Sequence, residues 1–393
     1  MARIAVICAF LPSRNTGMYT VDLSAYAYFK ATFPNDDVDL YCLGSIEKLG
    51  YAPAEMHQAY LPLSEHIDAV RGSDLIVFWG DFLHSLPYWD TDLAGWLVRD
   101  GISASRDEAI ELIYRAFMLE DAGPEVLRKV VVFGSTILTI GANELARPRY
   151  AAALRRLIRE AGGIYFRDAL SAAKATVLRE DQSTLGSDCA LQLSREDFQR
   201  YGLIDRFPDQ PGERLGVFFG RSKWTAQPLA LARATGHRTG RKLQWVPWLR
   251  SAPRQLALAR MFGFPATREP PLPKEILAQL LECSAVITDT YHLCVNAWNL
   301  GIPAVCIGFG SQNVGHTLGD KKKEILYGMY AASPYYIFRE HIANPAAILG
   351  TARYIADLLE STEKAACVTS AIAEHASVAR RRLSAACERV LGR

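Results

Sequence analysis

Between two apolar runs, the stretch AVITDTYHLCVNAWNLGIPAVCIG, Ala285 to Gly308, carries a single histidine, His292. The β-branched run AVIT reads as a buried strand. Asp289 and Thr290 stand where a following helix would be capped, which puts His292 in its first turn. Unpaired backbone N–H groups and the helix dipole favour anions at such an end, so the imidazole could donate a proton or a hydrogen bond to a bound phosphate or carboxylate. A histidine there can equally be a packed interior residue beside a capping aspartate. The neighbourhood favours the first reading. NLGIPAVCIG turns at Gly301 and Pro303 into another strand, and FGSQNVGHTLGDKKKEIL then adds a Gly-rich loop with Ser311, followed by Asp320, Lys321, Lys322 and Lys323. Backbone N–H groups of such a loop can approach an anion, and lysines can balance its charge. Alone, the lysine run also reads as a solvated helix start.

A second cationic set runs from Arg214 to Arg260 without an intervening acid, and Trp224, Trp245 and Trp248 are interleaved with it. Arginines suit forked hydrogen bonding to carboxylate and phosphate, and tryptophans suit the apolar face of a sugar. Arg221 and Lys223 directly follow the strand-like LGVFFG, which makes them the first choices for an anionic ligand. Nucleic acid leaves a similar footprint, but no helix-turn-helix, RNA-recognition or zinc-finger pattern accompanies it, so a nucleic-acid partner is not expected. In the first half, SDLIVFWGDFLHSLPYWD places Asp81 and His84 after a strand, and Asp81 reads either as a general base for a sugar hydroxyl or as an N-cap. The loop LPSRNTGMYT offers Arg14 and Asn15 and lacks the GxGxxG fingerprint, so neither a nicotinamide nor a flavin cofactor is expected. In GGIYFRDALSAAK, Asp168 or Ser171 reads as a helix cap and Arg167 as a residue that pairs locally. No His/Asp/Glu cluster stands at metal-ligand spacing, and no metal is expected.

The elements that must position these residues are strands alternating with helices. Strand-like runs occur at 3–10, 37–44, 73–80, 129–138 and 162–168, and after the turn-rich break FPDQPGE (207–213) again at 213–220, 242–248, 284–290 and 302–308. This pattern predicts an α/β chain of two Rossmann-like domains facing each other across a cleft, with parallel sheets and ligands outside the carboxyl ends of the strands. The expected division is 1–206, the acceptor side; 207–365, the donor side; and a C-terminal helix over 366–393, in which Arg380, Arg381 and Arg382 read as a solvated face.

A chain of 393 residues with 50% hydrophobic and 22% charged residues fits two folded domains. The eight scattered cysteines form no CxxC pair and read as reduced core residues. The N-terminal apolar run reads as a first strand, without a signal peptide, and no run approaches the roughly 20 residues of a membrane span. A cytoplasmic location is expected, and the sequence is silent on oligomeric state.

Four segments in order, DLIVFWGDFL, YFRDALS with SDCAL, VITDTYH leading to GIPAV, and GDKK, resemble the polysaccharide pyruvyl transferase family from about residue 70 to 330. The resemblance implies a GT-B-like fold and transfer of a pyruvyl group from phosphoenolpyruvate to sugar hydroxyls as a ketal, in polysaccharide or exopolysaccharide biosynthesis. Phosphoenolpyruvate would be a co-substrate, with no further cofactor. It matches His292 to the family's donor-site histidine, Arg221 to a basic residue on the donor's anionic groups and Lys321 to a late Asp-Lys motif. The assembled expectation makes His292 the acid and Asp81 a base or hydroxyl-orienting group. Arg221, Lys223, Asp289, Thr290, Ser311 and Lys321 would lie on the donor side, and Arg14, Asn15, His84 and Trp224 on the acceptor side. Thr290 stands where the family commonly has arginine, and Met18 where it commonly has an acid. Two alternatives stay open: a GT-B-like glycosyltransferase using a nucleotide sugar, and a sugar- or anion-binding relative without chemistry.

Overall fold

A computed structural model describes residues 1–8, 15–45, 59–80, 83–179, 184–220, 226–313 and 317–393. In the first sheet, β1 (Arg3–Cys8), β2 (Asp37–Cys42), β3 (Tyr60–Pro62), β4 (Leu75–Trp79), β5 (Val130–Phe133) and β6 (Gly163–Tyr165) are all parallel and lie in the order β3-β2-β1-β4-β5-β6. In the second, β7 (Arg214–Phe218), β8 (Lys242–Trp245), β9 (Cys283–Thr288), β10 (Ala304–Gly308) and β11 (Tyr336–Phe338) are parallel in the order β11-β10-β9-β7-β8.

Runs such as LIVFW in β4 and AVCIG in β10 show no polar alternation, and every residue in both strands is buried. That is the mark of parallel strands covered on both faces. The nine strand runs read from the sequence all form. The two it missed, β3 and β11, are three-residue edge strands, YLP and YIF, too short to display a period.

Each sheet has one point where the strand order reverses, between β1 and β4 in the first and between β7 and β9 in the second. These are the two doubly wound orders in which ligands collect outside the strand ends at the reversal.

The chain divides into two compact units, one of residues 1–13, 18–193 and 375–393, the other of 14–17 and 194–374. The boundary therefore falls before the turn-rich break and not within it. The helix Arg195–Arg200 opens the second unit on a Ser194–Asp197 capping box, and Lys274 pairs with Asp205 at 2.7 Å, so the segment ahead of the break packs with the second unit.

The expected C-terminal helix spans Thr362–Val390, and its residues from His375 onward belong to the first unit. There Leu383, Ala386 and Cys387 are buried. Ser384 Oγ meets Tyr28 Oη at 2.8 Å, and His375 Nε2 donates to the Gly186 carbonyl at 2.7 Å. Of the three arginines read as a solvated face, Arg382 donates to the Leu185 carbonyl and Arg380 stacks on Tyr28, because this face of the helix is packed; Arg381 alone is exposed.

All eight cysteines are free and only Cys367 is exposed. No helix among the described residues is long and apolar enough to cross a membrane.

The packing of the last helix gives a direct test. Leu383→Ala removes a side chain with no exposed surface and is expected to cost about 2 to 5 kcal/mol in chemical denaturation, whereas Arg381→Ala should stay within about 0.5 kcal/mol. Equal effects of the two would contradict this packing.

Candidate functional site

In the second unit the reversal point is closed by side chains of its own strands. Thr288, the last residue of β9, donates from Oγ1 to the Phe218 carbonyl at the end of β7 (2.7 Å), and its Oγ1 accepts the Thr290 N–H at 3.1 Å. Asp289 Oδ1 accepts the Gly220 N–H at 2.9 Å and the Thr290 hydroxyl at 3.2 Å. The carboxyl ends of β7 and β9 are thereby tied together, and Asp289 and Thr290 are buried in the tie.

The helix Tyr291–Asn299 starts at this tie. Thr290 occupies the N-cap in extended conformation without a capping side-chain bond, so the expected cap is replaced by its contact with Asp289. His292 is half-buried in the first turn, its ring 5.2 Å from that of Tyr291, and its carbonyl accepts Asn296 Nδ2 at 2.8 Å. This is the strand-end, helix-start position read from the sequence. Lys322 Nζ lies 5.2 Å from the centre of the Tyr291 ring.

Beyond β10, Ser311 is exposed on a turn. Lys321 is half-buried in the helix Leu318–Met329, which starts on a Thr317–Asp320 capping box. The lysine that turns inward is Lys323: it is 3% exposed and lies 3.0 Å from Asp320 Oδ1. Burial would raise the Asp320 carboxyl, but Lys323 and the Thr317 hydroxyl and amide hold it below its usual value. Burial would likewise lower the Lys323 ammonium, and Cys306, Asp289 and Asp320 outweigh it. Both groups are therefore charged near neutral pH.

Arg339, directly after β11, is also buried. Its guanidinium lies 5.1 Å from the Phe309 ring centre and donates to Gln227 Oε1 at 3.3 Å. Burial lowers its pKa against the pull of Asp289, Asp320 and Glu340. Sequence reasoning singled out neither Lys323 as the inward lysine nor Arg339. The capping box fixes the phase that turns Lys323 inward, whereas Arg339 follows an edge strand that the sequence does not announce.

In the short segment 14–17 that groups with the second unit, Asn15 Oδ1 accepts the Gly17 N–H at 3.1 Å and caps the helix Thr16–Thr32. In the first unit, Asp168 caps the helix Ala169–Thr176, as read from the sequence, whereas Arg167 pairs not locally but with Asp188, 21 residues on, at 3.3 Å. His84 was expected on the acceptor side. It is 1% exposed, Nε2 donates to the Phe117 carbonyl and Nδ1 accepts from Ser135 Oγ, each at 3.2 Å, and Phe78 packs edge-on at 4.9 Å. Both ring nitrogens are thus engaged inside the protein, because the ring is packed in the core against Phe78 and between Ser135 and the Phe117 carbonyl. Asp81, Arg221, Lys223, Trp224 and Arg14 lie outside the described residues.

Burial pulls the His84 imidazole down to about 4, against the hydrogen bond to Phe117. The unfolded chain takes up this proton near pH 6.5, so His84 costs stability as pH falls from about 6.5 toward about 4. The stability gap between the native protein and His84→Gln is expected to narrow by up to about 3 kcal/mol across that window. Comparing the two cancels Asp22, whose carboxyl burial raises to about 7 and whose effect runs the other way. A gap independent of pH would contradict a neutral, buried His84.

A family model described as polysaccharide pyruvyl transferase matches residues 23–311, a span that contains Asp289, Thr290, His292 and Ser311 and ends before Lys321. No curated protein matches the chain. Among solved structures, a Listeria monocytogenes protein assigned as a UDP-N-acetylglucosamine 2-epimerase is 11% identical with a TM-score of 0.58, covering 98% of this chain and 96% of its own. The UDP-GlcNAc 2-epimerase of Neisseria meningitidis, bound to UDP-GlcNAc, is 10% identical with a TM-score of 0.54, covering 98% and 99%. At such identity the likeness is one of fold: these neighbours are GT-B proteins, and the two parallel sheets place this chain in that α/β class.

Proposed function

The chain belongs to the polysaccharide pyruvyl transferase family, a transferase family, and on that premise we propose that it moves a pyruvyl group from phosphoenolpyruvate to two hydroxyls of a carbohydrate, forming a ketal. The observation that carries this reading is the position of His292, in the first turn of a helix that starts at the β7–β9 reversal.

The chemistry asks for an acid beside an anion site. His292 as imidazolium protonates the methylene carbon of phosphoenolpyruvate, and positive charge develops at the adjacent carbon. A sugar hydroxyl adds there, and its proton is returned to His292 through solvent, replacing the one delivered to the methylene. Phosphate then leaves with the electrons of its carbon–oxygen bond, a second hydroxyl closes the ketal, and that hydroxyl's proton leaves on the phosphate as hydrogen phosphate. The helix start at Tyr291 favours the donor's negative charge, and Arg221 and Lys223, next in sequence after Gly220, take its carboxylate and phosphate. For orienting the hydroxyl, the sequence offers Asp81. Phosphoenolpyruvate serves as co-substrate, and these steps call on no further cofactor.

Thermal unfolding with phosphoenolpyruvate, UDP, GDP or CMP tests the donor without knowledge of the acceptor, since a ligand at 100 times its Kd stabilises by about 2.7 kcal/mol. Phosphoenolpyruvate alone is expected to raise the Tm, less so in His292→Ala. Stabilisation by a nucleotide and none by phosphoenolpyruvate would replace this reading with a nucleotide-sugar donor.

A further inference from the structure

Lys323 has a defined partner for each of its three ammonium protons. Nζ donates to the carbonyls of Asp289 and Ile307, each at 3.1 Å, and lies 3.0 Å from Asp320 Oδ1. Asp289 is the residue directly after β9, Ile307 is the penultimate residue of β10, and these strands are neighbours. One buried ammonium thus bridges the carboxyl ends of β9 and β10, the neighbour of β9 on the side away from β7, to which Thr288 and Asp289 are tied. The carbonyl it holds lies three residues before His292.

An ammonium is costly to bury, and an apolar side chain of similar volume would fill the space without that cost. What an apolar side chain cannot do is grip two carbonyls. From this geometry we infer that Lys323, balanced by Asp320, is a positioning residue for His292: it fixes the Asp289–Thr290 turn from which the imidazole projects. The inference rests on the proposed role of His292. It separates Lys323 from Lys321, since the two lie on different faces of their helix.

The charged and titratable groups around Lys323 are Asp289 after β9, Cys306 on β10, Asp320 on its own helix, and Arg339 after β11 through its coupling to the two aspartates. Removing either member of the Lys323–Asp320 pair leaves one of these charges unbalanced beside the turn.

The test is the imidazole titration of His292 by NMR on the ligand-free protein, its signal assigned by its loss in His292→Ala. Lys323→Met leaves the Asp320 carboxylate unbalanced and is expected to raise the midpoint by roughly half a pH unit or more; Asp320→Asn leaves the ammonium unbalanced and should lower it by a similar amount. Tyr327→Phe is the control. It removes another buried bond from the same helix, Tyr327 Oη to the Ala304 carbonyl (2.7 Å), at the opposite end of β10, and should leave the midpoint in place.

A midpoint unmoved in Lys323→Met and Asp320→Asn, or moved as far by Tyr327→Phe, would overturn the inference. Should Lys323→Met not fold, Asp320→Asn carries the test alone. Turnover with phosphoenolpyruvate is measured in parallel. Its absence in the native protein would defeat the proposed reaction while leaving the titration readable. Where turnover is present, Lys323→Met should lower kcat about 10- to 100-fold.

Discussion

The second unit depends on how the carboxyl ends of β7 and β9 are closed. A parallel sheet sends every strand end to one edge, and at a reversal of strand order the following connections diverge and leave that edge uncovered. Backbone groups there need partners that the ladder does not supply. Thr288 takes the Phe218 carbonyl, Asp289 takes the Gly220 amide, and Lys323 takes the carbonyls of Asp289 and Ile307. These bonds satisfy the strand ends and at the same time fix where the Tyr291–Asn299 helix begins. His292 inherits its position from them.

The same closure explains why so much charge is buried in one place. Asp289, Asp320, Lys323 and Arg339 are each under a tenth exposed, and two are acids and two are bases. An unpaired charge at that depth would be strongly disfavoured, but two acids and two bases share the cost. The first unit solves its own closure differently. Asp168 gathers Thr136 and Ser171 at the strand ends, and His84 is consumed by the core as a neutral ring.

Much of this was legible in the sequence. Apolar-rich runs declared nine strands, several of them, such as LIVFW and AVCIG, without alternation because helices cover both faces, and the strand-then-helix text around VITDTYH located His292. Other features were not legible, for physical reasons. FPDQPGE signals a turn, but nothing in a turn says which neighbour it packs against, so the boundary was displaced. The amphipathic pattern of the last helix shows that it is packed without naming the surface. The strand-end rule pointed to His84, yet a ring one turn beyond a strand can fold back, and this one does. In DKKK, consecutive lysines differ by about 100° around the helix, so their order does not say which faces inward. The capping box at Thr317 and Asp320 sets that phase.

The most direct test tracks the proton that His292 is proposed to deliver. Phosphoenolpyruvate and a panel of sugar acceptors are incubated with the protein in D2O, and the product is read by mass spectrometry and carbon NMR. Delivery by His292 requires a ketal whose methyl group carries one solvent deuteron, one phosphate released per ketal, and loss of both in His292→Ala. A product that keeps the methylene, or a phosphorylated sugar with pyruvate released, would contradict it.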